Sequence, residues 1–339
     1  MITKARIFDL QLRNPFGISR ETRTVQRTFI VALSDGMHTG YGEATENAYY
    51  KVTAEKLLER WEELRHFLEK LPPVEPSSVW TEILKITGNC RFLTAAVDEA
   101  LWDLYGKRKG VHTKNILFPG HGPLPISSFT IGIDSPEIMQ QKILENPWPL
   151  YKIKLGTDYD EEIVRALRQV TDRPFRVDAN AAWSYEKARR MLPFLKEMGV
   201  ELVEQPLPAA AYRDTERLKA VSPLPLIADE ACVTEEDLEP ALQAYHGINV
   251  KLTKAGGITP ALHMYRVARK KGALRMIGCM TESTVGISAA AQLLPTVRYA
   301  DLDGPLLITN DLAQGVKVLP DGYEFPETPG NGIVLTVSL

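Results

Sequence analysis

Short strand-like runs in the second part of the chain end in charged residues at a regular interval of about 25 residues. Lys154, Asp178, Glu204, Asp229 and Lys251 follow one another at spacings of 24, 26, 25 and 22 residues. A stretch with helical periodicity separates each run from the next. Repetition of a strand followed by a helix at this interval is typical of a barrel of parallel strands. The spacing therefore predicts an α/β fold built on a (β/α) barrel.

An open, doubly wound sheet is the competing architecture. Such a sheet usually carries a glycine-rich phosphate loop after its first strand. The first strand-like run of this region, SSFTIGIDSPE at residues 127–137, lacks the G-x-G-x-x-G pattern. The sequence therefore favours the barrel.

The first third of the chain has the pattern of a small α+β domain. Helical periodicity is expected in three segments and strand-like alternation in three others. The predicted strands are Ala5–Leu12, Thr28–Leu33 and Gly40–Ala44, and the predicted helices are Thr53–Leu71, Ser77–Thr87 and Phe92–Gly106. The three strands are expected to form an antiparallel meander.

Composition excludes several classes of protein. The 339 residues carry 40 Lys and Arg against 43 Asp and Glu, a net charge of −3 without the basic excess of a nucleic-acid binder. No apolar run of 18 residues indicates a membrane span, and the alternating start MITKARIFDLQL does not resemble a secretory signal. Three widely spaced cysteines, Cys90, Cys232 and Cys279, suit a reducing compartment. We expect a cytoplasmic protein without nucleic-acid or membrane partners.

Charged residues stand where a barrel interior is normally apolar. Lys152 and Lys154 share one face of their strand. Burial of two lysines is costly unless acidic residues face them. A strand at the surface edge of a sheet is the alternative. Asp178, Glu204 and Asp229 each end a later strand, and each on its own could instead cap a helix. Because the carboxyl ends of barrel strands converge on one face, we expect these groups to meet there.

Three carboxylates without histidine or cysteine form an oxygen-only site, which selects Mg²⁺, with Mn²⁺ as an alternative. Lys251 is expected across the ring from Lys152 and Lys154. A cation and flanking amines suit removal and return of a proton next to a carboxylate, through an enediolate. A lysine in such a cationic, desolvated site is expected to have a lowered pKa, so that it can act as a base near neutral pH.

These motifs resemble the enolase superfamily, within the subgroup of muconate-lactonizing enzymes that carry a Lys-x-Lys motif. The resemblance spans nearly the whole chain. It implies an N-terminal α+β capping domain over residues 1–115, a (β/α)₇β barrel similar to a TIM barrel over 116–311, and a tail over 312–339 that returns to the cap.

The resemblance also implies roles for individual residues. Lys154 and Lys251 are expected to be the two acid/base groups, and Lys152 is expected to polarise the substrate carboxylate. Metal ligands are expected at Asp178 in VDAN, Glu204 in VEQP and Asp229 in ADE, with Asn180 and Glu230 beside them in support. Lys254, which competes with Lys251 for the catalytic role, is expected to be dispensable for turnover.

The motif Asp301-Leu302-Asp303 resembles the D-x-D of dipeptide epimerases, where it would hold the α-ammonium of a dipeptide. A solvated turn is the alternative. The loop at residues 16–23 resembles the mobile specificity loop of the family. Its Arg20 or Arg23 would pair with an acidic substrate side chain, or be a solvated arginine. The remaining pocket residues are expected to be Thr130, Cys279, Thr281 and Ser283.

The sequence thus predicts a Mg²⁺-dependent dipeptide epimerase that transfers a proton at the C-terminal residue of Ala-Glu-like dipeptides of cell-wall origin. The alternatives within the superfamily are N-acylamino acid racemase, o-succinylbenzoate synthase and muconate cycloisomerase, whose substrates carry no free ammonium. A metal-dependent binding protein that has lost catalysis is the alternative from another class, but it would be expected to lack Lys154 or Lys251. Self-association and the side-chain preference stay open.

Overall fold

The structure, a computed structural model, describes residues 1–18 and 20–339, except for the side chain of Glu21. Ser19, part of the loop predicted to contact substrate, lies outside the described residues. The strands are β1 Ile2–Ile18, β2 Glu21–Ser34, β3 Thr39–Thr45, β4 Phe129–Ile131, β5 Tyr151–Lys154, β6 Phe175–Asp178, β7 Val200–Glu204, β8 Leu226–Ala228, β9 Gly247–Lys251, β10 Leu274–Gly278, β11 Tyr299–Asp301, β12 Ala313–Gln314, β13 Lys317–Leu319, β14 Gly322–Glu324 and β15 Val334–Leu335.

The helices are α1 Ala54–Lys70, α2 Trp80–Ile86, α3 Arg91–Lys109, α4 Thr113–Leu117, α5 Pro136–Glu145, α6 Asp160–Arg168, α7 Tyr185–Glu197, α8 Tyr212–Val221, α9 Leu238–Ala244, α10 Leu252–Ala255, α11 Ile258–Lys270 and α12 Thr284–Ala291. Single 3₁₀ turns cover Pro76–Ser78, Glu235–Asp237, Leu294–Thr296 and Gly304–Leu307. Among the described helices, none is both long enough and apolar enough to cross a membrane.

The N-terminal strands β1, β2 and β3 form the predicted antiparallel meander, in that order. Helix α1 packs on it through residues spaced three and four apart, with Leu57, Leu64 and Leu68 fully buried, and Thr53 caps its first turn. The helix predicted at residues 77–87 is shorter than expected. Its start is a 3₁₀ turn, because Val79 N donates to Pro76 O before α2 begins at Trp80.

Within the described part of the chain, eight parallel strands follow one another from β4 to β11 in sequence order. The backbone N–H of Ser128 donates to Ala300 O at 3.2 Å and brings the last strand beside the first, so the sheet nearly closes. The barrel predicted from the 25-residue interval is confirmed, and the open sheet is wrong. Helices α5 to α12 lie on the connections between its strands.

Register and side-chain alternation gather the charged groups inside the barrel. Lys154 pairs with Asp178 across β5 and β6, and Asp178 pairs with Glu204 across β6 and β7. The intervening residues Ile153 and Val177 point to the other face and are buried in the hydrophobic core shared with the helices. The same period of two therefore builds the core outside the barrel and the polar site inside it.

The tail packs against the N-terminal domain. Leu10 and Ile30 of the cap share a hydrophobic cluster with Ile308 and Ile333, and Arg6 donates to Ser338 O at 3.0 Å. The domain boundaries at residues 115 and 311 stay a prediction.

Candidate active site

Three carboxylates form the centre of the site. Asp178 and Glu204 are the last residues of β6 and β7, and Asp229 directly follows β8. One oxygen from each carboxylate lies within 4.8 Å of the others, and all three residues are buried. Oxygen donors from three adjacent strands, gathered this closely, fit a hard divalent cation such as Mg²⁺.

Lysine amines surround these carboxylates. Lys152 Nζ lies 2.7 Å from Glu204 Oε2 and 3.2 Å from Asp178 Oδ2. Lys154 Nζ donates to the same Asp178 oxygen at 2.6 Å. Since both lysines point into the barrel and are buried, the surface edge strand is wrong.

Lys251 approaches the carboxylates from β9. Its Nζ donates to Asp229 Oδ2 at 2.8 Å, whereas Lys154 is bonded to Asp178. The two amines thus contact different carboxylates of the same centre. This is the arrangement expected of two groups that act on a substrate from different sides.

The pKa values of Lys152 and Lys251 are raised rather than lowered. Burial lowers the pKa of Lys152, but the charges of Asp301, Glu204 and Asp178 outweigh it and hold the pKa well above the usual lysine value. The pKa of Lys251 is also raised, because Asp229 and Glu204 overcome its burial. Both directions follow from the carboxylates that face these amines directly. The lowered pKa expected of a lysine beside a bound cation stays a prediction.

The carboxylates themselves differ in their affinity for a proton. Burial and the neighbouring charge of Asp178 raise the pKa of Glu204 to about 7. Burial also acts to raise the pKa of Asp229, but Lys251 and Lys254 overcome it and hold that pKa well below its usual range.

Lys254, the competitor of Lys251 in the sequence, contacts the same carboxylate. It is fully buried, and its Nζ donates to Asp229 Oδ1 at 2.6 Å and to Cys232 O at 3.0 Å. Its amine therefore holds one oxygen of a central carboxylate, and the dispensability of Lys254 for turnover stays a prediction.

Two further acidic residues, Asp301 and Asp303, lie at and just after the end of β11. Asp301 accepts hydrogen bonds from Lys152 Nζ and Ser128 Oγ, both at 2.8 Å, and Asp303 accepts from Thr130 N at 2.6 Å. Both carboxylates are buried, so the solvated turn is wrong. Burial and then Asp301 raise the pKa of Asp303 to about 7, whereas Lys152 outweighs burial and lowers the pKa of Asp301.

One cleft of about 820 Å³ joins most of these groups. Asp178 and Glu204 lie beneath its surface. The predicted residues that line the cleft are Lys152, Lys154, Lys251, Asp229, Asp301, Asp303, Thr130, Asn180, Glu230, Arg20, Arg23, Cys279 and Thr281. Ser283 does not line it, because its hydroxyl donates to Glu43 Oε2 at 2.6 Å and its backbone begins α12.

Arg20 joins the cap to the barrel above the site. Its Nη2 donates to Glu230 Oε1 at 2.7 Å, its Nη1 donates to Asn180 O at 3.3 Å, and its guanidinium lies 4.3 Å from the centre of the Tyr49 ring. Arg23 lines the same cleft and donates to Gln26 Oε1. Neither arginine is merely solvated.

Sequence reasoning missed several lining residues, above all Tyr49 and Tyr50. These adjacent aromatics lie in the connection after β3, and two tyrosines in a polar loop were the available signal. It also missed Asn249, whose Nδ2 donates to Glu204 Oε1 at 2.7 Å from the barrel interior. The other missed residues are Asn47, Met280 and Leu307. Phe16 and Ile18 also line the cleft and belong to the loop at residues 16–23 that the sequence singled out.

A capped (β/α)₇β barrel whose strand ends carry three carboxylates and flanking lysines defines the chain as an enzyme of the enolase superfamily. Residues 2–117 match the domain described as "Mandelate racemase / muconate lactonizing enzyme, N-terminal domain", and residues 137–338 match "Enolase C-terminal domain-like". The chain belongs to the mandelate racemase and muconate lactonizing enzyme family. The resemblance found in the sequence is thereby confirmed.

Relatives of known name cover nearly the full chain. An L-Ala-D/L-amino acid epimerase of Maribacter sp. is 45% identical over 97% of this chain and 97% of its own length. An L-Ala-D/L-Glu epimerase of Bacteroides thetaiotaomicron is 36% identical over 96% of this chain and 86% of its own. The crystal structure of a dipeptide epimerase from Cytophaga hutchinsonii, complexed with Mg and D-Ala-L-Val, superimposes with a TM-score of 0.93 at 27% identity, covering 98% and 95% of the two chains.

Proposed function

We propose that this protein is a Mg²⁺-dependent dipeptide epimerase that inverts the α-carbon of the C-terminal residue of a dipeptide. One observation carries the proposal. A single cleft contains an acidic pair suited to an ammonium, Asp301 and Asp303, and a carboxylate centre flanked by Lys154 and Lys251. A free dipeptide has the matching ammonium and carboxylate groups.

Asp178, Glu204 and Asp229 would hold the Mg²⁺, which when bound would supply positive charge for the substrate carboxylate. Lys154 or Lys251 removes the α-proton from one face, and the bonding electrons move into the carboxylate. The lysine on the other face then donates a proton to the α-carbon, which inverts it. Lys152, already bonded to Asp301 and Glu204, adds positive charge beside the substrate carboxylate.

We propose Ala-Glu-like dipeptides of cell-wall origin as substrates. Arg20 or Arg23, which both line the cleft, would pair with an acidic substrate side chain. We further propose that Mn²⁺ can replace Mg²⁺ and that the enzyme acts in the cytoplasm, as the cysteine usage suggests.

The deciding experiment incubates the purified protein with a dipeptide library and Mg²⁺ in D₂O and follows deuterium incorporation by mass spectrometry. We expect free dipeptides with N-terminal Ala to gain one deuterium. EDTA should abolish the exchange, and Mg²⁺ or Mn²⁺ should restore it. Full exchange after exhaustive chelation would contradict the proposed metal dependence.

N-acylamino acid racemisation is the rival reaction, because it uses the same lysines and metal. Acetylation of the dipeptide removes the cation that Asp301 and Asp303 would bind. Loss of a charge-assisted pair worth about 3 kcal/mol predicts a fall in kcat/KM of about two orders of magnitude. A preference for the N-acetylated compound would replace our proposal with the rival.

A further inference from the structure

A second cavity lies directly behind the ammonium end of the cleft. It spans about 470 Å³ when the open solvent at its mouth is included. Three residues belong to the linings of both cavities, namely Phe16, Thr130 and Leu307. The two spaces are therefore neighbours separated by a thin wall of side chains.

Thr130 fixes where this wall stands relative to the substrate. Its backbone N–H donates to Asp303 Oδ2 at 2.6 Å, and its hydroxyl lies 3.4 Å from Asp301 Oδ1. If those two carboxylates hold the substrate ammonium, the α-carbon next to that ammonium also lies beside Thr130. The side chain of the N-terminal residue consequently projects from a point next to the wall.

Phe16 and Leu307 are the apolar members of the wall, and backbone hydrogen bonds of the residues next to them fix their positions. The backbone of Leu306 donates to Asp303 O at 2.9 Å within the 3₁₀ turn that leads to Leu307. On the opposite side, Ile133 N donates to Gly17 O at 2.8 Å. A Cβ at residue 17 would lie 2.4 Å from Ile133 O, so only glycine permits this close contact beside Phe16.

The second cavity suits an apolar group. Phe129 adds an aromatic residue to the lining of this cavity. Three of its polar members have partners: Arg13 Nε donates to Leu306 O, Lys142 Nζ to Asp134 Oδ2 and Asn146 Nδ2 to Lys142 O. An aliphatic side chain that entered the cavity would thus gain apolar contact without breaking a charge pair of the cleft itself.

We propose that Phe16 and Leu307 set the size of the N-terminal residue, and that the cavity behind them is a latent subsite for a larger aliphatic side chain. This inference rests on the proposed function. With both residues in place the enzyme prefers alanine at the first position. With either residue truncated, the subsite opens and accepts leucine.

The test compares two matched pairs of dipeptides, L-Ala-L-Glu with L-Leu-L-Glu and L-Ala-L-Phe with L-Leu-L-Phe, by deuterium exchange with Mg²⁺. The wild type should favour Ala over Leu at the first position by at least about tenfold in kcat/KM. Phe16→Ala and, independently, Leu307→Ala should shift that ratio toward Leu by at least about tenfold. Phe16→Trp should shift it the other way.

Ile18→Ala is the matched control, because Ile18 lines the cleft but not the second cavity. It should change kcat/KM for both members of a pair by the same factor. An unchanged Ala-to-Leu ratio in folded Phe16→Ala and Leu307→Ala would overturn this inference alone. Failure of the wild type on all four dipeptides would overturn the proposed function and this inference with it.

Discussion

Lys254 and Lys251 donate hydrogen bonds to different oxygens of the Asp229 carboxylate. Lys254 Nζ donates to Asp229 Oδ1 at 2.6 Å, and Lys251 Nζ donates to Asp229 Oδ2 at 2.8 Å. Lys254 also donates to the backbone oxygen of Asp229 at 2.5 Å. Because it contacts Asp229 and lies outside the lining of the cleft, we propose that Lys254 positions this carboxylate.

Removal of the Lys254 amine should therefore impair metal binding. Lys254→Met leaves Asp229 Oδ1 without its buried amine, although Lys251 still contacts Oδ2. Loss of one member of a buried ion pair costs about 3–5 kcal/mol. We expect a lower melting temperature and a Mn²⁺ affinity, measured by titration, reduced at least about tenfold. Lys271→Met, at an exposed ion pair with Glu239, is the control and should alter neither quantity. A Mn²⁺ affinity like that of the wild type in Lys254→Met would contradict this role.

Asn249 should orient Glu204 in a comparable way. Its Nδ2 bonds Glu204 Oε1 at 2.7 Å, and a Cβ at Gly278 would lie only 2.7 Å from that same nitrogen. Asn249→Ala and Gly278→Ala are expected to weaken Mn²⁺ binding to a similar degree. The double variant should bind Mn²⁺ no more weakly than either single variant. Additive losses in the double variant would show that the two residues act separately.

The pH dependence of dipeptide turnover should follow Asp303. Its pKa is raised to about 7 by burial and by Asp301, so its negative charge is lost as the pH falls through that value. Since the substrate ammonium needs this charge, kcat/KM should decline from about pH 7.5 to pH 6. Asp303→Asn, which cannot titrate, should show a smaller decline over this range, where Glu204, with a pKa also raised to about 7, still titrates. Identical profiles in the two proteins would contradict the assignment.

The Arg20–Glu230 pair should couple the cap to the barrel. Because Arg20 also contacts Tyr49 and Asn180, its loss should loosen the cover of the cleft and raise KM more than it lowers kcat. A double-mutant cycle with Arg20→Gln and Glu230→Gln is expected to give a coupling of about 1 kcal/mol in kcat/KM. Independent effects of the two substitutions would show that the ion pair has no part in substrate binding.

The parts of the site that the sequence predicted lie at the ends of barrel strands. Lys154, Asp178 and Glu204 could be brought together in advance, because parallel strands in register place their terminal residues side by side. The period of two then identified which lysines face the interior.

Contacts between distant elements could not be predicted in this way. Ser283 was predicted to line the pocket. Its hydroxyl instead donates to Glu43, which lies on β3 of the cap. Tyr49 reaches the cleft only because the connection after β3 crosses the barrel mouth beside Arg20. The pKa directions of Lys152 and Lys251 likewise depend on distances to several carboxylates, which spacing along the chain does not give.

Proton exchange by single-lysine variants tests the central claim most directly. If Lys154 and Lys251 serve opposite faces of the α-carbon, each can still remove the proton of one enantiomer when the other is absent. We therefore predict that Lys251→Ala and Lys154→Ala both lose epimerisation. In D₂O with Mg²⁺, each should exchange the α-proton of one epimer of the C-terminal residue, and the two variants should select opposite epimers. Exchange of both epimers by either variant would contradict the two-sided mechanism.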